Sequence, residues 1–182
     1  MRQALEVAER ALALDPNDNV CHWIVGELAF KCGQVERAIT HMDRALALNP
    51  NDADVLAVFG FMQCVIGNPD LGFRLMARAA ERNPFNPTWY NWINGLCLCI
   101  HGKYREGLAE LDRHVPANPA VMRLRAFALV KLGRVQEARA QMQDLLALTP
   151  DLCARTLEEN LIEFQPVMPD LIATLREAGL PD

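Results

Sequence analysis

The feature that most constrains this chain is a repeat with a period of 34 residues. The segment 19–52 holds two stretches in which apolar residues recur with helical spacing, with Gly33 between them and Pro50 at the end. When the segment is moved forward by one period, these two positions coincide with Gly67 and Pro84. Self-similarity of this length is typical of solenoids, in which each unit packs only against its neighbours. The period therefore predicts stacked helix pairs instead of a fold around one central core.

Small residues recur in pairs, twelve positions apart, in four successive segments of the chain. The pairs are Gly26 and Ala38, Gly60 and Gly72, Gly95 and Gly107, and Ala126 and Ala138. Two helices can approach each other closely only where neither carries a bulky side chain. Each pair therefore marks the point at which the two helices of one repeat should meet, and Gly60 is expected to lie against Gly72.

These positions resemble the tetratricopeptide repeat, a helix–turn–helix unit with the pattern W-x2-L-G-x2-Y, A-x3-F and P. His22 stands at the aromatic first position, which is not matched, and the first repeat fills the remaining pattern with Val25, Gly26, Ala29, Ala38, Met42 and Pro50. The resemblance implies an all-α fold, a right-handed α-α superhelix of about ten helices. It also implies one solenoid domain over 1–182, with an orphan second helix at 1–18, repeats at 19–52, 53–86, 87–118 and 119–152, and capping helices at 153–182.

The two ends of the chain do not form complete repeats. Three alanines of the first segment hold the positions that Ala38, Met42 and Ala45 hold in the next repeat, namely Ala4, Ala8 and Ala11. The chain thus opens in mid-repeat, and we interpret it as a fragment of a longer protein. At the other end, a terminal repeat requires a cover. The apolar residues expected to provide it are Leu157, Leu161, Leu171 and Leu175.

Composition and charge exclude several function classes. The net charge is −5 and no basic cluster is present, which argues against a nucleic-acid partner because phosphate binding depends on clustered Lys and Arg. Glu6 and Glu9 interrupt any apolar signal core at the N-terminus. The longest apolar run, 55–67, is too short to span a membrane and contains Gln63. We therefore predict a soluble, cytoplasmic protein with no membrane partner.

The sequence contains no catalytic or cofactor motif that we recognise. It lacks HExxH, GxSxG, a phosphate loop and a dinucleotide fingerprint, so we predict that the chain is not an enzyme and holds no cofactor. None of the four histidines is spaced to pair with a carboxylate, and we interpret them as surface or helix-end residues: His22, His41, His101 and His114. The six cysteines are interpreted as reduced, metal-free core residues.

The resemblance also implies where a partner would bind. In this family the first helices of successive repeats form a concave wall, and the matching positions here include all three tryptophans of the chain. The predicted groove residues are Trp23, Glu27, Phe30, Phe61, Trp89, Trp92, Leu96, Arg123, Phe127 and Lys131. Aromatic residues and arginine commonly carry the binding energy of interfaces. Trp23 and Glu27 stand where the chaperone-tail clamp of this family has Lys and Asn, so an extended or helical apolar segment is the predicted ligand.

The sequence leaves open what covers this groove. A protein or peptide partner, a second copy of the chain, an upstream domain and the chain's own tail are all compatible with an apolar wall. Asn91 and Asn94 leave a similar choice, because these amides either bond to the 84–87 connection or orient a bound peptide backbone.

Two functions compete at this point. The first is a protein-interaction scaffold without activity of its own. The alternative is the C-terminal regulatory part of a larger bacterial signalling protein. The segment 83–90 and the closing run 168–182 resemble chains that fuse a nucleotide cyclase or a winged-helix regulator to such repeats. A catalytic or DNA-binding domain encoded upstream would favour the alternative.

Overall fold

The computed structural model describes residues 1–85, 87–113, 118–160 and 166–182. Eleven helices and no strands occur in these residues, which confirms the predicted all-α fold. None of the helices in these ranges is both long and apolar enough to span a membrane. The helices form two compact units, which we call unit 1 (Met1–Asn86) and unit 2 (Pro87–Asp182). The prediction of one solenoid domain with the repeat bounds given above stays a prediction.

Unit 1 consists of five helices, each packed against the next in the chain. They are α1 (Arg2–Leu14), α2 (Asn19–Lys31), α3 (Val35–Leu48), α4 (Ala53–Val65) and α5 (Pro69–Arg82). Helices α2 and α4 also contact each other, so that the first helices of two predicted repeats lie side by side. Helix α1 adds Leu5 and Ala8 to a core formed with Val25, Ala29 and Ala38 of α2 and α3.

Unit 2 consists of six helices within its described residues. They are α6 (Trp89–Ile100), α7 (Tyr104–Asp112), α8 (Pro119–Lys131), α9 (Val135–Leu148), α10 (Ala154–Asn160) and α11 (Leu171–Glu177). The pairs α6 with α7 and α8 with α9 pack closely, and α6 also touches α8. Unit 2 thus repeats the arrangement of unit 1, with the first helices adjacent.

Local chemistry explains where the helices begin and turn. The side chain of Asp52 accepts a hydrogen bond from the backbone N–H of Val55 at 3.1 Å, and Asp18 and Asn118 cap α2 and α8 in the same way. Gly33 and Gly67 follow the first helices of two pairs with φ of 76° and 92°. A residue with a side chain is strained there, so glycine is the natural end of these helices, as the sequence predicts.

The small residues meet as the twelve-residue spacing predicts. A Cβ atom added to Gly60 would lie 2.8 Å from the carbonyl oxygen of Gly72 and 2.7 Å from the Cγ of Met76. A Cβ added to Gly72 would in turn lie 2.7 Å from the carbonyl oxygen of Gly60. The backbones of α4 and α5 therefore touch, and a side chain at either position would push them apart.

The C-terminal segment, described over 154–160 and 166–182, packs against the rest of unit 2. Helix α11 packs against α8, the first helix of the fourth predicted repeat, and α10 packs against α11. The backbone N–H of Ala154 donates to the carbonyl of Pro181 at 2.7 Å, which ties the chain end to the start of α10. Of the predicted covering residues, Leu157 and Leu175 are buried and Leu171 is half-buried, whereas Leu161 lies outside the described residues.

Candidate functional site

Unit 1 holds four of the ten predicted groove residues, and all four are half-buried. Trp23, Glu27 and Phe30 lie on α2, and Phe61 lies on α4. Phe30 packs against the core shared by α1, α2 and α3, while Glu27 forms an ion pair with Lys31 at 2.6 Å. The indole Nε1 of Trp23 is buried, and no hydrogen-bond partner for it exists in the described part of the chain. An indole N–H normally finds a partner when it is buried, so Trp23 retains an unused donor.

Unit 2 brings three of its six predicted groove residues around one pocket. Trp92 and Leu96 of α6 face Arg123 of α8 across a partly open space of about 50 Å³. The remaining lining residues are Ala120, Leu124, Met168 and Leu171. Met168 and Leu171 belong to the C-terminal segment, which therefore forms one wall of the pocket. The groove prediction did not include them, since no repeat pattern marks this segment.

The other predicted groove residues of unit 2 are engaged within the unit. Phe127 is only 2% exposed, its ring meets that of Tyr104 edge-on at 5.9 Å, and the Nζ of Lys131 lies 5.5 Å from its centre. Lys131 also forms an ion pair with Asp170, which ties the C-terminal segment to α8. The hydrogen bond within this pair raises the pKa of the lysine. Trp89 is half-buried and lies edge-on against Tyr90 at 4.3 Å.

Arg123 differs in its surroundings from the other basic residues of α8. Burial lowers the pKa of its guanidinium, because an apolar environment disfavours the charged form. Arg125, two positions later, has a carboxylate partner in Asp112 at 2.9 Å. In the described part of the chain, Arg123 has neither an ion-pair partner nor a side-chain hydrogen bond.

The two roles predicted for Asn91 and Asn94 stay predictions. Both residues are half-buried on α6. Asn86, within the 84–87 connection to which they were expected to bond, lies outside the described residues.

Sequence reasoning missed a pair of histidines in unit 1. The Nδ1 atoms of His22 on α2 and His41 on α3 are 3.0 Å apart, and the Nε2 of His22 lies 3.1 Å from the carbonyl oxygen of Pro16. A carbonyl oxygen only accepts, so the Nε2–H of His22 donates to it. In the neutral ring the Nδ1 of His22 then accepts from the Nδ1–H of His41. The two residues are nineteen positions apart, a spacing that carries no sequence signal. His114 lies outside the described residues.

The histidine pair predicts a pH-dependent stability of unit 1. Burial lowers the pKa of His41, as do the charges of His22 and Arg37, while Glu9 opposes the shift. A histidine with a lowered pKa in the folded state stabilises the fold fully above its unfolded pKa of about 6.5, and this contribution is lost as the pH falls from there toward the folded pKa. We therefore expect His41→Gln to flatten the decline of the urea midpoint between about pH 7.5 and 5.5.

Urea unfolding at the two pH values, followed by circular dichroism, measures this effect. The matched control is Thr40→Gln, which places the same side chain at the exposed neighbouring position of α3. The control should decline as the wild type does. Equal pH dependence in wild type and His41→Gln would contradict the role assigned to the pair.

The cysteines and acidic groups do not assemble a metal centre where the structure describes them. Within those ranges no group of three or more His, Cys, Asp or Glu side chains could hold a metal ion. Cys64, Cys97 and Cys99 are buried in helices, and burial raises the pKa of Cys99 to about 12. At neutral pH this thiol is protonated and therefore a poor nucleophile and metal ligand.

The ten predicted groove residues are thus divided between the two units. Trp23, Glu27, Phe30 and Phe61 belong to unit 1, and the other six belong to unit 2. Their convergence on one continuous groove stays a prediction.

Comparisons with known proteins agree with the fold. Two models of the tetratricopeptide repeat match residues 1–58 and 100–152, together more than half of the chain. No curated protein matches the sequence. Among solved structures, MamA (AMB-1) is 26% identical with a TM-score of 0.63, over 82% of this chain and 89% of that one.

Two further solved structures have lower identity and support the fold alone. PilW, a widely conserved type IV pilus biogenesis factor, has a TM-score of 0.77 at 19% identity, over 97% of this chain and 80% of its own. TTC0263, a thermophilic TPR protein in Thermus thermophilus, has a TM-score of 0.70 at 21% identity, over 81% and 82%. With two matching repeat models and these neighbours, the chain belongs to the tetratricopeptide repeat family.

Proposed function

We propose that this chain is a non-catalytic scaffold for protein–protein interaction that binds an apolar segment of a partner along its first helices. The observation that carries the proposal is the partly open pocket at Trp92, which has mostly apolar walls on α6 and α8. Tryptophan in such a setting is the residue type most often found to dominate binding energy.

Unit 1 supports the proposal through Trp23. Its indole lies on a first helix, is half-buried, and keeps an unused N–H donor. The exposed part of the ring offers apolar area to a bound segment, whereas the buried N–H is out of its reach. Trp23 is therefore the anchor that we assign in unit 1, and Trp92 is the anchor that we assign in unit 2.

The C-terminal segment limits how much of unit 2 is available. Its helix α11 covers part of α8, and the space at Trp92 stays partly open. In unit 2, the chain's own C-terminal segment therefore covers part of the predicted groove. In this proposal the partner contacts unit 2 only at the pocket that remains open. Phe127 and Leu96, which are buried, serve in this proposal as support for the pocket walls.

Selection from a library of displayed random peptides tests the proposal. We expect the wild-type chain to enrich peptides with apolar or aromatic residues, and Trp92→Ala to weaken a selected peptide by about thirtyfold, since loss of an interface anchor typically costs about 2 kcal/mol or more. Circular dichroism and thermal unfolding of the variant accompany the binding measurement, so that loss of the half-buried ring is separated from unfolding. Phe85→Ala is the matched control, since Phe85 is 96% exposed and lies outside the first helices. Equal binding by wild type, Trp92→Ala and Phe85→Ala would sink the assignment of the anchor.

The attachment of these repeats to a bacterial nucleotide cyclase or transcriptional regulator, and a location in the cytoplasm, stay predictions.

A further inference from the structure

We propose that the partner segment carries an acidic side chain whose carboxylate pairs with Arg123 in the pocket formed by α6, α8 and the C-terminal segment. The inference rests on the proposed function and assigns the chemistry of one subsite within it.

Helix α8 carries three basic residues, and the chain supplies a carboxylate for two of them. Arg125 pairs with Asp112 at 2.9 Å, and Lys131 pairs with Asp170. Asp170 precedes Leu171, which lines the pocket. Its carboxylate is already paired with Lys131. Arg123 is left without an acceptor in the described ranges of unit 2.

The surroundings of Arg123 make an unpaired charge unfavourable. Trp92, Leu96, Leu124 and Met168 line the same pocket, and burial among such groups lowers the pKa of the guanidinium. A guanidinium stays protonated at neutral pH, so the charge persists despite its cost. An ionised acceptor offsets that cost, and a carboxylate fits the guanidinium best because two parallel N–H donors meet its two oxygens.

The size of the pocket restricts what can reach Arg123. A space of about 50 Å³ exceeds that needed by a single water, for which about 10–15 Å³ suffices, but it is far below the few hundred Å³ of a typical small-molecule site. It matches the end of one side chain. The carboxylate of an aspartate or glutamate fits, with its methylene groups against Trp92 and Leu171, while the rest of the segment lies outside.

The same selection of displayed peptides, carried out with the full chain and its variants, tests this inference. We expect peptides enriched by the wild type to contain aspartate or glutamate next to an apolar residue, and this acidic preference to disappear with Arg123→Met. Arg123→Lys keeps the charge without the planar fork and should retain the preference with weaker binding. Arg125→Met is the matched control, since Arg125 has its own carboxylate partner and does not line the pocket.

Titration calorimetry compares one selected peptide with its acid-to-amide counterpart. Its first arm uses the wild-type chain and therefore needs no protein variant. Replacing the acid by its amide should weaken binding to the wild type by about ten- to a hundredfold, as expected for a charge-assisted pair. The same replacement should have little effect on binding to Arg123→Met. This comparison holds even where a variant lowers the melting temperature, because its first arm uses the wild-type chain alone.

Each outcome decides the inference. Acidic peptides that depend on Arg123 support both the subsite and the scaffold function. Apolar peptides without acidic preference, bound equally by wild type and Arg123→Met, overturn the subsite and leave the scaffold function standing. If the wild type enriches no peptide, the proposed function fails and the subsite fails with it.

Discussion

Replacing Gly60 by leucine is expected to lower the free energy of unfolding by about 3 kcal/mol, the upper end of the usual cost of overpacking. Even the first atom of the new side chain would lie 2.8 Å from the carbonyl oxygen of Gly72. The backbone of Gly72 is part of α5 and its carbonyl cannot rotate away without breaking the helix, so α4 and α5 must separate. Gly60→Ala should act in the same direction with a smaller loss. Urea unfolding followed by circular dichroism measures both.

Gly26→Ala is the matched control for this prediction. A Cβ at Gly26 would meet the Sδ of Met42 at 2.9 Å, the flexible end of a side chain, with the nearest carbonyl, that of Ala38, at 3.2 Å. Methionine adapts its shape readily, and alanine gains about 1 kcal/mol of helix propensity over glycine. The stability of Gly26→Ala should therefore stay near that of the wild type. An unchanged urea midpoint in Gly60→Leu would show that α4 and α5 do not pack in this register.

Replacing Leu175 by alanine is expected to destabilise unit 2 by about 2–5 kcal/mol, the range measured for fully buried leucines. The side chain is 0% exposed and lies on α11, which packs against α8. Because α11 has only seven residues, it depends on this packing and not on intrinsic helix stability. Thermal unfolding compares the variant with Leu148→Ala, the same change at a position of α9 that is 55% exposed. Equal losses at the two positions would mean that the C-terminal segment does not cover unit 2.

The repeat architecture could be read from the sequence because its signals are local. Gly33 and Gly67 are required wherever the backbone turns with positive φ, and the Gly60 and Gly72 pair is required wherever two backbones touch. Each such requirement acts within one helix pair and recurs with the period. The helix pairs, the turns and the close helix contacts therefore followed from residue type and spacing, and the resemblance to the tetratricopeptide repeat implied the all-α fold.

The candidate site was predictable only in part. Membership of a first helix follows from the repeat pattern, so the placement of Trp23 on α2 and Trp92 on α6 could be anticipated. Exposure could not, because it depends on what else reaches the same face. Phe127, expected on an open wall, is buried beside Tyr104 and Lys131.

The sequence by itself determined the helix pairs, their turns and their points of closest approach, because these depend on side-chain size and backbone conformation within one period. Only the tertiary structure decided that the C-terminal segment lies on α8, that Asp170 pairs with Lys131, and that Arg123 has no acceptor among the described residues of unit 2. It also decided the meeting of His22 and His41. Such contacts join residues without a fixed spacing, and they form wherever packed surfaces bring complementary groups together.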